Sequence, residues 1–243
     1  MRPLSAAQLL AAWERGLSET VCRRSLPLLA AAAANSSIEE LARLSVGERD
    51  RRLLALRVWT FGSKLASYAN CSACQERLEW TLNAGDLQQE AMPPAVVALE
   101  ADRYSLEFRV PNTLDLEALA ASPDLTLGQQ VLLERCVLTA RVDGQETTVT
   151  SLPESVVSAI VKRMAEVDPQ AEISFELHCP SCGDSSQILF DIESFFWVEL
   201  NAWARRILHE VHLLARAYGW SETEILNLSP WRRQCYLELA SAS

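Results

Sequence analysis

Apolar side chains recur at helical spacing along the start of the chain. Leu9, Leu10 and Trp13 share one face of a helix that Ser5 can cap. Residues 21–34 continue the helical texture, with Pro27 as a blemish. Ser36 stands three residues before Glu39, and Ser45 three before Glu48, the spacing of a capping box. The second box opens a helix with an apolar stripe of Leu53, Leu56 and Trp59. The first 70 residues therefore read as helices. Strict alternation then appears at residues 77–82 and 104–110, as half-buried strands require. Residues 114–121 and 127–136 read as helices. Residues 137–142 and 147–149 flank Asp143-Gly144, a hairpin turn signal. Residues 153–167 form another helix, stopped by Asp168-Pro169. Residues 173–177 and 187–191 alternate again. From 192 to 218 large apolar residues mark one long helix, with Gly219 as its stop. Ser221 and Glu224 box a short helix, and Ser229-Pro230 starts the last one.

Composition narrows the class. The 243 residues are 49% hydrophobic and 22% charged, the balance of a globular protein rather than a disordered one. The net charge of −10 gives no overall attraction to nucleic acid or to anionic lipid. A local basic run, Arg49, Arg51, Arg52 and Arg57, reads as a solvated helix face. The longest apolar run is about nine residues, far short of the roughly 20 that span a bilayer. No leader pattern is visible, so a cytoplasmic protein is expected.

The chemistry lies in the cysteines. Four of the seven form two Cys-x-x-Cys pairs, Cys71/Cys74 and Cys179/Cys182. Such a pair places two sulfurs on one ion, and four thiolates close a tetrahedral structural zinc site. A strand follows each pair, and another precedes the second, which is the arrangement of a zinc ribbon. Gly183, just past the second pair, can adopt the positive φ that such a turn favours. Gln75 holds the corresponding place in the first, so a less regular turn is expected there. The ion would staple segments about a hundred residues apart, with residues 77–82 beside 173–190. Structural zinc in small modules contributes on the order of 10 kcal/mol. A redox dithiol is disfavoured, because those cysteines sit at a helix N-terminus and here a strand follows.

Other candidates carry less. His209 and His212 are three residues apart, whereas a metalloprotease helix needs four. His178 reads as a strand residue. Cys22, Cys136 and Cys235 read as small buried residues. The tryptophans read mostly as core, with Trp220 and Trp231 as candidate anchors for a partner. A zinc closed by four thiolates leaves no position for water, and no nucleophile–base pair or phosphate loop is visible, so no enzyme is expected. A nucleic-acid-binding zinc ribbon, such as a transcription accessory protein, is the alternative function. It is weakened by the acidic charge and the scarcity of basic residues around the knuckles.

Taken with segments 10–16 (Leu-Ala-Ala-Trp-Glu-Arg-Gly), 132–137 (Leu-Leu-Glu-Arg-Cys-Val), 191–195 (Asp-Ile-Glu-Ser-Phe) and 215–226 (Ala-Arg-Ala-Tyr-Gly-Trp-Ser-Glu-Thr-Glu-Ile-Leu), the two knuckles give a familiar order. The chain resembles T4-type phage baseplate proteins and baseplate hub assembly chaperones found in contractile injection system loci. The resemblance implies a non-enzymatic assembly factor or component of a baseplate. Its partners would be baseplate, hub or spike proteins, and the finished particle is a possible destination. The expected fold is α+β, mainly helical, with a split zinc-ribbon subdomain carrying a long insertion. Residues 1–66 form a helical region, 67–191 the ribbon with its α/β insertion at about 92–170, and 192–243 a second helical region.

Overall fold

The computed structural model describes residues 1–33, 35–89 and 92–241. These fold as mixed helix and sheet, in two compact units. Residues 1–38 and 193–243 form the first, and residues 39–192 the second.

Helix α1 (Ala6–Gly16) is capped by Ser5 through a full capping box with Gln8. Helix α2 (Leu26–Ala32) begins later than its apolar run suggests, because residues 21–25 are turns. Pro27 lies in the first helical turn, where a missing N–H costs nothing. The proline thus marks the start of the helix and not a flaw within it. Ala34, the expected last residue, lies outside the described residues. The short α3 (Ile38–Ala42) and then α4 (Val46–Phe61) follow.

Strand β1 (Lys64–Asn70) replaces the expected end of the helical stretch. It pairs antiparallel with β2 (Arg77–Asn83). Strands β3 (Val97–Ala101), β4 (Tyr104–Phe108), β5 (Val137–Val142) and β6 (Gln145–Glu146) form an antiparallel sheet in that order. Helices α5 (Thr113–Ala120) and α6 (Leu125–Cys136) sit between β4 and β5. The expected strand at 147–149 is instead a 3-10 turn at Val149–Ser151. Helix α7 (Glu154–Val167) packs on the sheet, and Val156 and Ile160 join Val97, Leu106, Phe108 and Ala140 in one core. Strands β7 (Ile173–His178) and β8 (Ser185–Phe190) form a second two-stranded hairpin.

In the first unit, α8 (Ile192–Tyr218) is 27 residues long, about 40 Å at 1.5 Å per residue. It buries Phe196, Leu200, Ala204, Ile207 and Leu214, a stripe at helical spacing. Leu9, Leu10 and Trp13 of α1 and Leu26, Leu28 and Leu29 of α2 are buried in the same unit. Each such leucine stabilises by roughly 1.5–3 kcal/mol. Gly219, at φ +69°, ends α8, and its N–H donates to the Ala215 carbonyl at 2.9 Å. Helices α9 (Glu222–Leu226) and α10 (Pro230–Ser241) complete the chain.

The basic run on α4 is not a solvated face. Arg49 and Arg57 are buried, and Arg49 pairs with buried Asp50 at 2.8 Å. Glu48 takes Arg51 at 2.7 Å and Arg52 at 2.6 Å. Two carboxylates of the same helix thus offset the charge of three arginines, and Arg57 donates to the Gly62 carbonyl at 2.6 Å. Trp59 leaves the expected stripe and is 45% exposed, while Leu53, Leu54 and Leu56 are buried.

Candidate metal centre

Each two-stranded hairpin carries one Cys-x-x-Cys pair in the turn between its strands. Cys71 and Cys74 join β1 to β2, and Cys179 and Cys182 join β7 to β8. The two turns use the same backbone hydrogen bonds. The Gln75 N–H donates to the Cys71 carbonyl at 3.0 Å, and the Gly183 N–H to the Cys179 carbonyl at 2.9 Å. The Cys71 N–H donates to the Glu76 carbonyl, and the Cys179 N–H to the Asp184 carbonyl, both at 2.8 Å. Gln75 has φ +62° and Gly183 φ +77°, so the first knuckle is as regular as the second, contrary to expectation. Glutamine reaches the left-handed region at a cost of roughly 1–2 kcal/mol, which the closed turn outweighs.

The turns converge. All four sulfurs lie within 4.8 Å of one another. Cys71 Sγ is 3.6 Å from Cys182 Sγ, and Cys74 Sγ is 3.6 Å from Cys179 Sγ. A disulfide needs about 2.05 Å, so these are free thiols. Four sulfurs at 2.3 Å from one ion in tetrahedral geometry lie about 3.8 Å apart. The donor set and spacing therefore fit a single tetrahedral metal ion. Among the described residues, no other cluster of histidine, cysteine and carboxylate ligands gathers in this way. Cys71 and Cys179 are buried with Leu78 and Leu177 against them, whereas Cys74 and Cys182 are exposed.

Behind the knuckles the hairpins meet through aromatic rings. Trp80 of β2 makes edge contacts with Phe175 at 5.0 Å and Phe190 at 6.2 Å. The segments expected to lie side by side do so, as two packed hairpins and not as one hydrogen-bonded sheet.

Without an ion the sulfurs compete for protons. The backbone N–H groups of Cys182 and Ser181 favour the Cys179 thiolate and lower its pKa to about 7. The Asp184 N–H acts likewise on Cys182, but the neighbouring thiols and desolvation outweigh it and push that pKa up to about 12. Cys74 accepts the Glu76 N–H, yet desolvation and the adjacent sulfurs still raise it. Four thiolates this close repel one another, and a divalent cation reverses that balance.

The remaining candidates disperse. His178, His209 and His212 are exposed and lie outside the sulfur group. Cys136 is fully buried, while Cys22 and Cys235 are only half-buried. Trp220 is half-buried, stacked on Tyr218 at 4.7 Å and edge-on to Tyr236 at 4.9 Å. Trp231 is 76% exposed. Ser72, Asp184 and Ser186 join the two knuckles by hydrogen bonds, a role that cysteine spacing does not indicate.

Residues 27–197, well over half of the chain, match the family described as T4 bacteriophage base plate protein. The chain belongs to this family. The matched span of this base plate protein contains both knuckles and everything between them. No curated protein and no solved structure matches the chain. Membership carries a structural role in a phage base plate, and with it contact with other base plate components. Among the described residues, no helix of this base plate protein is long and apolar enough to cross a membrane.

Proposed function

We propose that the chain is a non-enzymatic component or assembly factor of the hub or spike region of a contractile tail-like baseplate, closed by one structural zinc ion. Cys71, Cys74, Cys179 and Cys182 supply the four ligands. Zinc suits them because it accepts four thiolates tetrahedrally and undergoes no redox change. Filling all four positions leaves none for substrate or water, so the ion holds the fold and performs no reaction. The two hairpins and their knuckles then act as a split zinc ribbon, with the four-stranded sheet and its helices as the insertion.

The observation that carries this reading is the family match over residues 27–197, which spans both knuckles. The convergence of the four sulfurs supports the zinc. Exposed Trp231, and Trp220 in its aromatic trio, are the proposed anchors for hub or spike partners. The chain is synthesised in the cytoplasm on this reading and is carried into the particle or released after assembly. A nucleic-acid role is not needed, and the family match favours the baseplate.

The test is affinity capture of the tagged chain from cells expressing the complete tail gene cluster. Recovery of hub or spike proteins is expected, and weaker recovery with Trp231→Ala. Capture of no tail protein under these conditions would contradict the proposal.

A further inference from the structure

The knuckles also touch through side chains that carry no sulfur. Ser72 Oγ donates to Asp184 Oδ2 at 3.1 Å and lies 3.0 Å from Ser186 Oγ. Ser186 Oγ donates to the same carboxylate oxygen at 3.3 Å. Ser72 belongs to the first knuckle, and Asp184 stands 112 residues later, just past the second. One carboxylate oxygen thus gathers hydroxyls from both hairpins. That oxygen lies 4.0 Å from Cys71 Sγ. The main chain of Asp184 already serves its own knuckle, since its carbonyl accepts the Cys179 N–H and its N–H donates to the Cys182 sulfur.

We infer that Asp184 is a positioning residue of the metal centre, docking the two knuckles through Ser72 and Ser186 so that the four-sulfur cage exists before the metal arrives. The inference rests on the metal reading given above. Two physical arguments carry it. An ion that must itself bring two hairpins together loses affinity to the ordering of those hairpins, and a pre-docked cage avoids that loss. The charge of Asp184 works against its being there for electrostatics. Four thiolates around a divalent cation are already net negative, and a carboxylate beside Cys71 adds repulsion. What Asp184 supplies is an acceptor oxygen in the right place.

These arguments give substitutions of opposite sign. Asp184→Ala removes the acceptor, whereas Asp184→Asn keeps an acceptor oxygen and removes the charge. Full-length protein loaded with zinc is mixed with excess chromogenic chelator, and the release rate is measured. Asp184→Ala and Ser72→Ala are expected to release zinc faster, by about tenfold or more, in the range found for outer ligands of metal sites. Asp184→Asn is expected to release it at the wild-type rate or slower. In the reduced, metal-free chain, amide exchange at Cys71 and Cys179 is expected to stay slow in the wild type and to become fast in Asp184→Ala. Wild-type release rates in both alanine variants, or an asparagine variant as leaky as the alanine one, would overturn the inference. Should Asp184→Ala fail to fold, Ser72→Ala carries the test, since it deletes one exposed hydroxyl. A wild-type chain that holds no zinc at all would instead sink the metal reading.

Discussion

Gln75 and Gly183 occupy equivalent places in the two knuckles and share the left-handed backbone conformation, at φ +62° and +77°. A Cβ at Gly183 meets nothing within 4 Å, so a side chain there is opposed by backbone strain alone. Gly183→Ala is expected to cost about 1 kcal/mol of stability. Gln75→Gly relieves the same strain and is expected to be neutral or mildly stabilising, because added freedom in the unfolded chain offsets part of the gain. Urea unfolding midpoints of the two variants check both signs.

Gly47 shows the opposite situation, a glycine required by space. Its N–H donates to Asp168 Oδ2 at 3.0 Å, and a Cβ would lie 2.0 Å from Asp168 Oδ1 and 3.0 Å from the Ala171 nitrogen. Gly47→Ala must push α4 away from the 3-10 turn at Pro169–Ala171. A loss of about 1–3 kcal/mol is expected, typical of overpacking. Thermal unfolding measures it.

Asp115 is fully buried and holds two arginines, Arg109 at 2.5 Å and 2.9 Å and Arg135 at 2.8 Å. It also accepts the Asn112 N–H at 3.0 Å, closing the capping box of α5. Burial raises its pKa, but the Arg109, Asn112 and Arg135 hydrogen bonds outweigh burial and hold it below the ordinary aspartate value. A depressed pKa stabilises the fold above the unfolded-state value near 3.9, and that stability is lost as pH falls through the folded value. Asp115→Asn is expected to cost about 2–4 kcal/mol at pH 7, toward the lower end because both arginines are partly exposed. The gap from wild type should close as the pH is lowered below about 4. Denaturation at a series of pH values reads this directly.

Asp50 has the reverse dependence. Desolvation dominates there, Arg49 compensates only in part, and Asp191 and Asp168 add repulsion, which raises the pKa to about 6. Its contribution is complete below the unfolded value near 3.9 and is lost as pH rises through 6. The difference is about 3 kcal/mol at 1.36 kcal/mol per unit. Unfolding free energies between pH 4 and 7 should therefore show a falling component that Asp50→Asn removes. An unchanged slope in the variant would rule out Asp50 as its source.

Legibility from sequence followed physical cause. The two knuckles are readable because each Cys-x-x-Cys pair is followed by an alternating segment, so residue type and spacing mark the hairpin turns that bring the four sulfurs together. The long helix α8 was readable because its buried stripe repeats at 3.6 residues. Strand β1 was not, because its pleat places Ser67 and Ala69 inward and Tyr68 outward, which reverses the usual hydrophobic alternation. Arg77 stacks over the exposed Tyr68 ring at 4.0 Å and so shields it. The basic run on α4 misleads for a related reason. Sequence displays the guanidiniums, whereas the burial of Arg49, Asp50 and Arg57 appears only once α4 is packed into the fold. The Ser72–Asp184–Ser186 contacts had no local signal, since they exist only once the two hairpins meet.

The central claim is that four sulfurs from distant hairpins hold one zinc ion that the fold requires. Elemental analysis of purified, natively folded full-length protein, read beside its thermal unfolding, tests it most directly. The account predicts one zinc per chain, and for Cys71→Ser or Cys182→Ser either insoluble protein or folded protein that has lost the metal and much of its stability. A folded wild-type chain without bound metal, or both variants matching the wild type in stability, would contradict it.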